Sequence, residues 1–244
     1  MSTEGKAACV LVAAGRGERL GEGGPKAFVR VGGRPLIWHA LRAIAGADLV
    51  SHLVAVVPAG YERQADELVD DAVAGRLSGT SRVVSGGENR QRSVALGLSA
   101  VPADADIVLV HDAARCLAPS GLLDAVVRAV AHGQDAVVPG LPVVDTLKRI
   151  DERSRVIDTP PRSDLRAVQT PQGFRRAVLT RAHSDAEARG DTDAPDDASL
   201  VERTGLPVHL VAGHQEAFKI TTGHDLAVAE TVLARARASA APAP

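Results

Sequence analysis

The chain has 244 residues, a formal net charge of −2 and 45% hydrophobic residues, enough for one sizeable core in a single α/β domain. The near-neutral balance argues against nucleic acid as the main partner, because phosphate-tracking surfaces carry a marked basic excess, and the sparse aromatics (Phe28, Trp38, Tyr61, Phe174, Phe218) argue against a base-stacking platform. No apolar run is long enough to span a bilayer and no signal peptide precedes the first apolar run, so the expectation is a soluble, cytoplasmic protein with no membrane partner.

Ala7–Val12 reads as a buried strand, with Cys9 as a small core residue; the second cysteine, Cys116, lies far away and the two have no metal-ligand spacing. Further strands are expected at His52–Val57, Arg82–Val84, Ile107–Val110 and Ala136–Val138. Between them Leu36–Ala45, Tyr61–Val73, Arg90–Ala100 and Leu122–Ala131 carry apolar residues at intervals of three and four, the period of a helix. Strands that are continuously apolar belong in a parallel sheet covered on both faces, so the alternation predicts an α/β, doubly wound, mostly parallel sheet with ligands beyond the carboxyl ends of its strands.

The rhythm breaks at Leu141–Thr170, which is polar, contains Pro160–Pro161 and shows no helical stripe. It reads as two short extended segments around a turn near Asp151–Ser154. A surface loop is the plain explanation, but long structureless insertions in compact domains are uncommon unless they bind something. An arm reaching a ligand or another subunit is therefore expected. Phe174–Glu187 and Ser199–Thr204 then read as helices, Val208–Val211 as a strand and Asp225–Arg237 as a closing helix, with residues 238–244 a disordered tail. Residues 1–244 are thus expected to form one domain, with 141–170 as its arm.

The first loop, AAGRGERLGEGGPKAF (Ala13–Phe28), places glycines and three cations directly after the first strand. Strand, glycine loop and helix suit an anion, because loop N–H groups converge on it. A P-loop fails here, since Lys26 stands between Pro25 and Ala27, and Gly15, Gly17 and Gly21 give GxGxxxG rather than the dinucleotide spacing. What remains is small residues at Ala13–Gly15 for close nucleotide approach, with Arg19 and Lys26 as cations for a triphosphate. The competing reading is a glycine-rich turn with solvated cations.

Four further stretches bear on the site. SGGENRQRSV (Ser85–Val94) is a second glycine turn, with Asn89 as a candidate N-cap and Ser93 offering a hydroxyl to a pyrimidine edge. HDAAR puts Asp112 just past a buried strand; it could ligate magnesium, hold a substrate hydroxyl, or form a structural salt bridge with Arg115. The arm contributes PVVDTLKR (Pro142–Arg149) and TPPR (Thr159–Arg162). QTPQGF (Gln169–Phe174) and AFKITTGHDL (Ala217–Leu226) complete the set.

In this order, from about residue 7 to residue 235, these motifs resemble the 2-C-methyl-D-erythritol 4-phosphate cytidylyltransferases. The first loop alone is shared with sugar-phosphate nucleotidyltransferases and molybdopterin guanylyltransferases. The resemblance implies a nucleotidyltransferase-type Rossmann-like fold, CTP and methylerythritol phosphate as substrates, Mg2+ as cofactor and a homodimer. It implies that Ala13, Ala14 and Gly15 line the nucleotide, with Arg19 and Lys26 on its phosphates. Gly87, Glu88 and Ser93 would face cytosine and ribose. Asp112, Arg115, Thr146 and Lys219 would surround the methylerythritol phosphate, and Arg162 would act on the substrate held by the partner subunit. Two positions depart from the family pattern: Cys116 replaces a proline after HDAAR, and Pro195 in PDDA replaces a threonine whose hydroxyl lies near the substrate, with Thr192 as a nearby hydroxyl. A related enzyme acting on another polyol phosphate, such as ribitol phosphate, and a non-catalytic nucleotide-binding regulator are the rival readings.

Overall fold

The computed structural model describes residues 6–15 and 24–240. After β1 (Lys6–Val12) comes a small hairpin, β2 (Arg30–Val31) and β3 (Arg34–Pro35), which leads into α1 (Leu36–Ala45). The chain continues through β4 (Val50–Val57), α2 (Glu62–Val73), β5 (Ser81–Ser85), α3 (Arg90–Ser99), β6 (Ala105–Asp112), α4 (Ser120–Ala131) and β7 (Ala136–Pro142). These elements match the expected strand–helix alternation to within a few residues at each end.

β4 and β6 pair in parallel with the two edges of β1, and β5 pairs in parallel with β4. The chain therefore winds outward from β1 to β5 and then reverses to β6, leaving a topological switch between β1 and β6. Successive residues of β1 point to opposite faces, and both faces are dry. Cys9 and Leu11 join the core built with Ile37, Leu41 and Ile44 of α1 and Leu123 of α4. Ala8 and Val10 join the opposite core, with Val94 and Leu98 of α3 and with Val54, Val56 and Val108. This two-sided burial explains why the strand reads as an unbroken apolar run. Gly97 lets α3 sit close to the sheet: a Cβ there would lie 2.5 Å from Val10 Cγ1 and 2.7 Å from Val56 Cγ2.

Beyond β7 the arm is an antiparallel ribbon of β8 (Arg149–Ile150) and β9 (Val156–Asp158), closed by a turn in which Ser154 adopts φ 58° and Asp151 accepts from the Arg153 and Arg155 amides. The excursion is shorter than the sequence suggests. Strand β7 runs on to Pro142, and β10 (Arg166–Val168) returns antiparallel to its Gly140–Pro142 end. The main correction follows. Residues Gln172–Arg175, expected to begin a helix in part, form β11, wedged antiparallel between β6 and β7. Phe174 is fully buried there, so its place in the sheet outweighs any helical period. The helix α5 spans Arg176–Ala188, followed by α6 (Asp197–Glu202), β12 (His209–Ala212) on the other edge of β7, and α7 (Gly223–Ala240). Residues 238–240, assigned from sequence to the tail, continue α7; residues 241–244 lie outside the described residues. No helix among the described residues is long and apolar enough to cross a membrane.

Candidate active site

A cavity of about 340 Å³ opens at the switch, beyond the carboxyl ends of β1 and β6. The first loop contributes Ala13, Ala14, Gly15 and Lys26, and the second contributes Gly87, Glu88 and Ser93. Asp112 lies at the end of β6, paired in register with Val12, and Lys219 enters from the loop before α7. Nine residues singled out from sequence thus share one pocket. Arg19 lies outside the described residues.

Backbone pairing fixes the two loops. Ala13 N–H donates to Val56 O at 2.8 Å, and Gly86 N–H donates to Val57 O at 2.7 Å, so both loops are extensions of the sheet. A Cβ on Gly86 would lie 2.4 Å from the Ala14 Cβ, which is why a glycine lets the loops touch. Lys26 starts a 3-10 turn, Lys26–Phe28, behind Pro25 in extended geometry (φ −64°, ψ 135°), a conformation proline favours. Asn89 does cap α3, its side chain accepting from the Arg92 amide at 2.7 Å.

Ser93 lines the pocket and also holds the second loop together. Its buried hydroxyl donates to Asn89 O at 2.8 Å and accepts from the Gly87 amide at 3.1 Å. A hydroxyl has one proton to give, and here the turn uses it. Ser93 therefore shapes the second loop, and a second acceptor lone pair of its hydroxyl is left beside the pocket.

Asp112 is the electrostatic centre of the pocket. Its Oδ2 accepts from Lys219 Nζ at 2.7 Å and its Oδ1 from Arg90 Nε at 3.3 Å. Burial alone would raise the Asp112 carboxyl, but the Arg90 charge and then the Lys219 charge hold it well below the usual carboxylate range. The salt bridge to Arg115 that the sequence suggested is not formed. Arg115 instead donates to Ala217 O at 2.7 Å and Val168 O at 3.3 Å, and its buried Nε has no hydrogen-bond partner among the described residues. It ties the returning end of the arm to the Lys219 loop. Gln169 does the same from the arm side: its amide donates to His214 O and accepts from the His214 amide, each at 2.9 Å. Ile220 N–H donates to Ala114 O at 2.9 Å and anchors the residue after Lys219.

Arg90 was not singled out from sequence, yet it lines the pocket and reaches past Asp112. Its Nη1 donates to Asp197 Oδ2 at 2.7 Å, and His183 Nε2 lies 2.9 Å from Asp197 Oδ1. The one available signal was its position as first residue of the helix behind the second glycine turn. Asp197 and His183 gave none, since their partners come from distant segments. Asp196 caps α6 by accepting from the Ser199 amide, and Gln172 donates to Asp196 and accepts from the Asp197 and Ala198 amides. The PDDA segment is therefore held by its carboxylates.

Thr146 and Arg162 are exposed on the arm and do not line the pocket; Arg162 donates to Val144 O at 2.9 Å. Thr192 lines a separate cavity between α3 and α5, not the one around Asp112, so it does not stand in for the threonine replaced by Pro195. Cys116 has φ −63°, the angle a proline ring would impose, so the turn keeps its shape with cysteine there. Among the described residues no cluster of three or more His, Cys, Asp or Glu is placed to hold a metal.

Comparison with known proteins identifies one family for the chain. The sequence model of the 2-C-methyl-D-erythritol 4-phosphate cytidylyltransferase family matches residues 7–235. Curated proteins of that name from Streptomyces coelicolor and Nocardia farcinica are 49% and 48% identical over 239 and 232 residues, each match covering 95% of this chain and 86% and 96% of the relative. A crystal structure of 2-C-methyl-D-erythritol 4-phosphate cytidylyltransferase from Thermus thermophilus superposes with a TM-score of 0.73 at 40% identity, covering 93% of this chain and 98% of the other. That of 4-diphosphocytidyl-2C-methyl-D-erythritol synthase from Anaerococcus prevotii gives 0.83 at 26% identity, over 95% and 97% of the two chains.

Proposed function

The chain belongs to the 2-C-methyl-D-erythritol 4-phosphate cytidylyltransferase family, and from that premise we infer that its pocket transfers a cytidylyl group from CTP to 2-C-methyl-D-erythritol 4-phosphate in non-mevalonate isoprenoid biosynthesis. The products are 4-diphosphocytidyl-2-C-methyl-D-erythritol and pyrophosphate. A phosphate oxygen of the polyol phosphate forms a bond to the α-phosphorus of CTP, and the bond from that phosphorus to the bridging oxygen breaks in line. Pyrophosphate departs with the electron pair. An ionised phosphate is already a nucleophile at neutral pH, so alignment and charge stabilisation are what the protein supplies.

The observation that carries this reading is the convergence of Lys26, Arg90 and Lys219 on one pocket floored by two glycine loops. Ala13, Ala14, Gly15, Gly87 and Glu88 bound the nucleotide, Arg19 and Lys26 meet its phosphates, and Lys219 approaches the α-phosphate from the other side. Asp112 stands on the polyol side of the pocket, and Arg115 supports that side from behind by tying the arm to the Lys219 loop. The donor set does not fit a magnesium site held by protein alone, because both Asp112 oxygens are occupied by cations. Magnesium would be carried by the CTP phosphates, beside Arg19 and Lys26, and would supply further neutralisation of their charge.

The arm is the dimer element of this proposal. Val144, Leu147, Ile150, Val156 and Ile157 are exposed on it, a cluster of apolar side chains that a second copy would cover. Thr146 and Arg162 then complete the partner's site, which agrees with their absence from the pocket of their own chain. The reaction takes place in the cytoplasm. A pyrophosphate-release assay with four nucleoside triphosphates, each offered methylerythritol phosphate or ribitol phosphate, tests the reading. CTP with methylerythritol phosphate is the expected productive pair. Equal turnover with ATP or GTP, or preference for ribitol phosphate, would refute the assignment.

A further inference from the structure

We propose that Arg90 is a positioning residue for the transfer: it is the standing counter-ion of Asp112, and this frees Lys219 to leave that carboxylate for the phosphates. The inference rests on the reading of the pocket given above. Asp112 divides its two oxygens between two cations that are held very differently. The Lys219 side chain is 42% exposed and has Asp112 as its ion-pair partner. Arg90 is 26% exposed and is fixed at its far side by Asp197, a carboxylate only 1% exposed. Asp197 is in turn held by His183 and by Gln172, which accepts from its amide at 3.2 Å. One cation is anchored between two carboxylates, and the other is half-exposed beside one.

A phosphate arriving beside Asp112 brings negative charge towards a carboxylate that is already nearly buried. Lys219 serves the reaction only if it moves from that carboxylate to the phosphate. Removing one partner of a buried ion pair leaves an uncompensated charge, and that penalty would oppose the move. With Arg90 in place, the carboxylate keeps a counter-ion throughout. The fork of the guanidinium suits this duty, because Nε serves Asp112 while Nη1 serves Asp197; a lysine amine is a single point and cannot span both. Without Arg90, Lys219 becomes the sole partner of Asp112 and is held there when the transition state needs it. The defect should fall on kcat, because CTP binding retains its loops and Lys26.

The test is a double-mutant cycle. Arg90→Met, Arg90→Lys, Asp112→Asn and both double variants are compared with wild type, each checked by thermal unfolding. Turnover of CTP and methylerythritol phosphate is read at saturation and in single-turnover mode. Arg90→Met is expected to lower kcat roughly 100-fold with KM for CTP moved by less than about threefold, and Arg90→Lys to recover part of the loss. On the Asp112→Asn background the Asp112 charge is gone and only the Asp197 pairing, lost equally on both backgrounds, remains to be broken, so removing Arg90 should cost about tenfold less in kcat than it does in wild type. Equal losses on both backgrounds, or a raised KM with kcat intact, would overturn the inference. If Arg90→Met does not fold, the Arg90→Lys arm of the cycle decides by the same criterion. A wild-type protein that releases no pyrophosphate from this substrate pair overturns the functional reading and this inference with it, whereas equal losses in an active enzyme overturn the inference alone.

Discussion

His111 offers a quantity that the fold predicts directly. It is fully buried in β6, one residue before Asp112, and burial pushes its imidazole down from the ordinary 6.5 to about 4, against the smaller upward pull of Asp112. Its Nδ1 lies 2.9 Å from the Thr170 hydroxyl, which also accepts from the Asp112 amide at 3.0 Å. No carboxylate accepts from the ring, and its buried Nε2 has no hydrogen-bond partner among the described residues, so little offsets the cost of charging it. Above pH 6.5 the imidazole is neutral in both folded and unfolded chains, and it contributes no slope. Between 6.5 and about 4 the unfolded chain binds a proton that the folded chain refuses, so stability falls as pH falls. At roughly 1.36 kcal/mol per pH unit, the total lost across that window approaches about 3 kcal/mol. Urea unfolding of wild type and His111→Asn at intervals from about pH 7.5 to 4 measures it. Asparagine keeps an acceptor near the Nδ1 position, and its smaller volume lowers stability by a pH-independent amount. His39 is also lowered by burial and remains in both proteins, so the difference in slope isolates His111. Parallel curves for the two proteins would refute the argument.

Lys26→Ala is expected to lower turnover about 100-fold or more while leaving binding of methylerythritol phosphate nearly unchanged, because a cation facing developing charge contributes a few kcal/mol to the transition state; near-normal turnover at saturating CTP would make Lys26 an ordinary surface lysine. Mixing Arg162→Ala chains with Lys26→Ala chains, each nearly inactive alone, should restore activity once subunits exchange, since a two-fold dimer with Arg162 acting in trans contains one site with both residues intact. No recovery, or a fully active monomer, would place Arg162 in its own chain's site.

The readable parts of this protein are those whose cause is local. Ala7–Val12 and Ile107–Val110 are continuously apolar because each faces a dry core on both sides, and the glycine turns follow them directly. The order of strands then places Ala13–Gly15, Gly87 and Asp112 at one end of the sheet, where they are found. Phe174 and Arg175 read as the start of a helix because so short a segment with one large apolar side chain carries no decisive period; the strand geometry of Gln172–Arg175 comes from the slot between β6 and β7. Ser93 shows a different limit. Its hydroxyl is visible in the sequence, but whether that proton faces a ligand or a turn depends on how tightly Gly87 folds back upon it.

Charge pairing is where local reading fails most consequentially. HDAAR presents Asp112 and Arg115 three residues apart, and proximity in sequence suggests a pair. The 3-10 turn Ala113–Arg115 lies between them, and Arg115 turns to the carbonyls of Val168 and Ala217 instead. Asp112 takes its partners from residues 22 and 107 positions away, Arg90 and Lys219. Those separations are closed by the sheet and not by any motif. A nearly buried carboxylate is unfavourable by itself, and its distant cations hold it ionised: Arg90 is anchored at its far side by Asp197, and Lys219 is half-exposed.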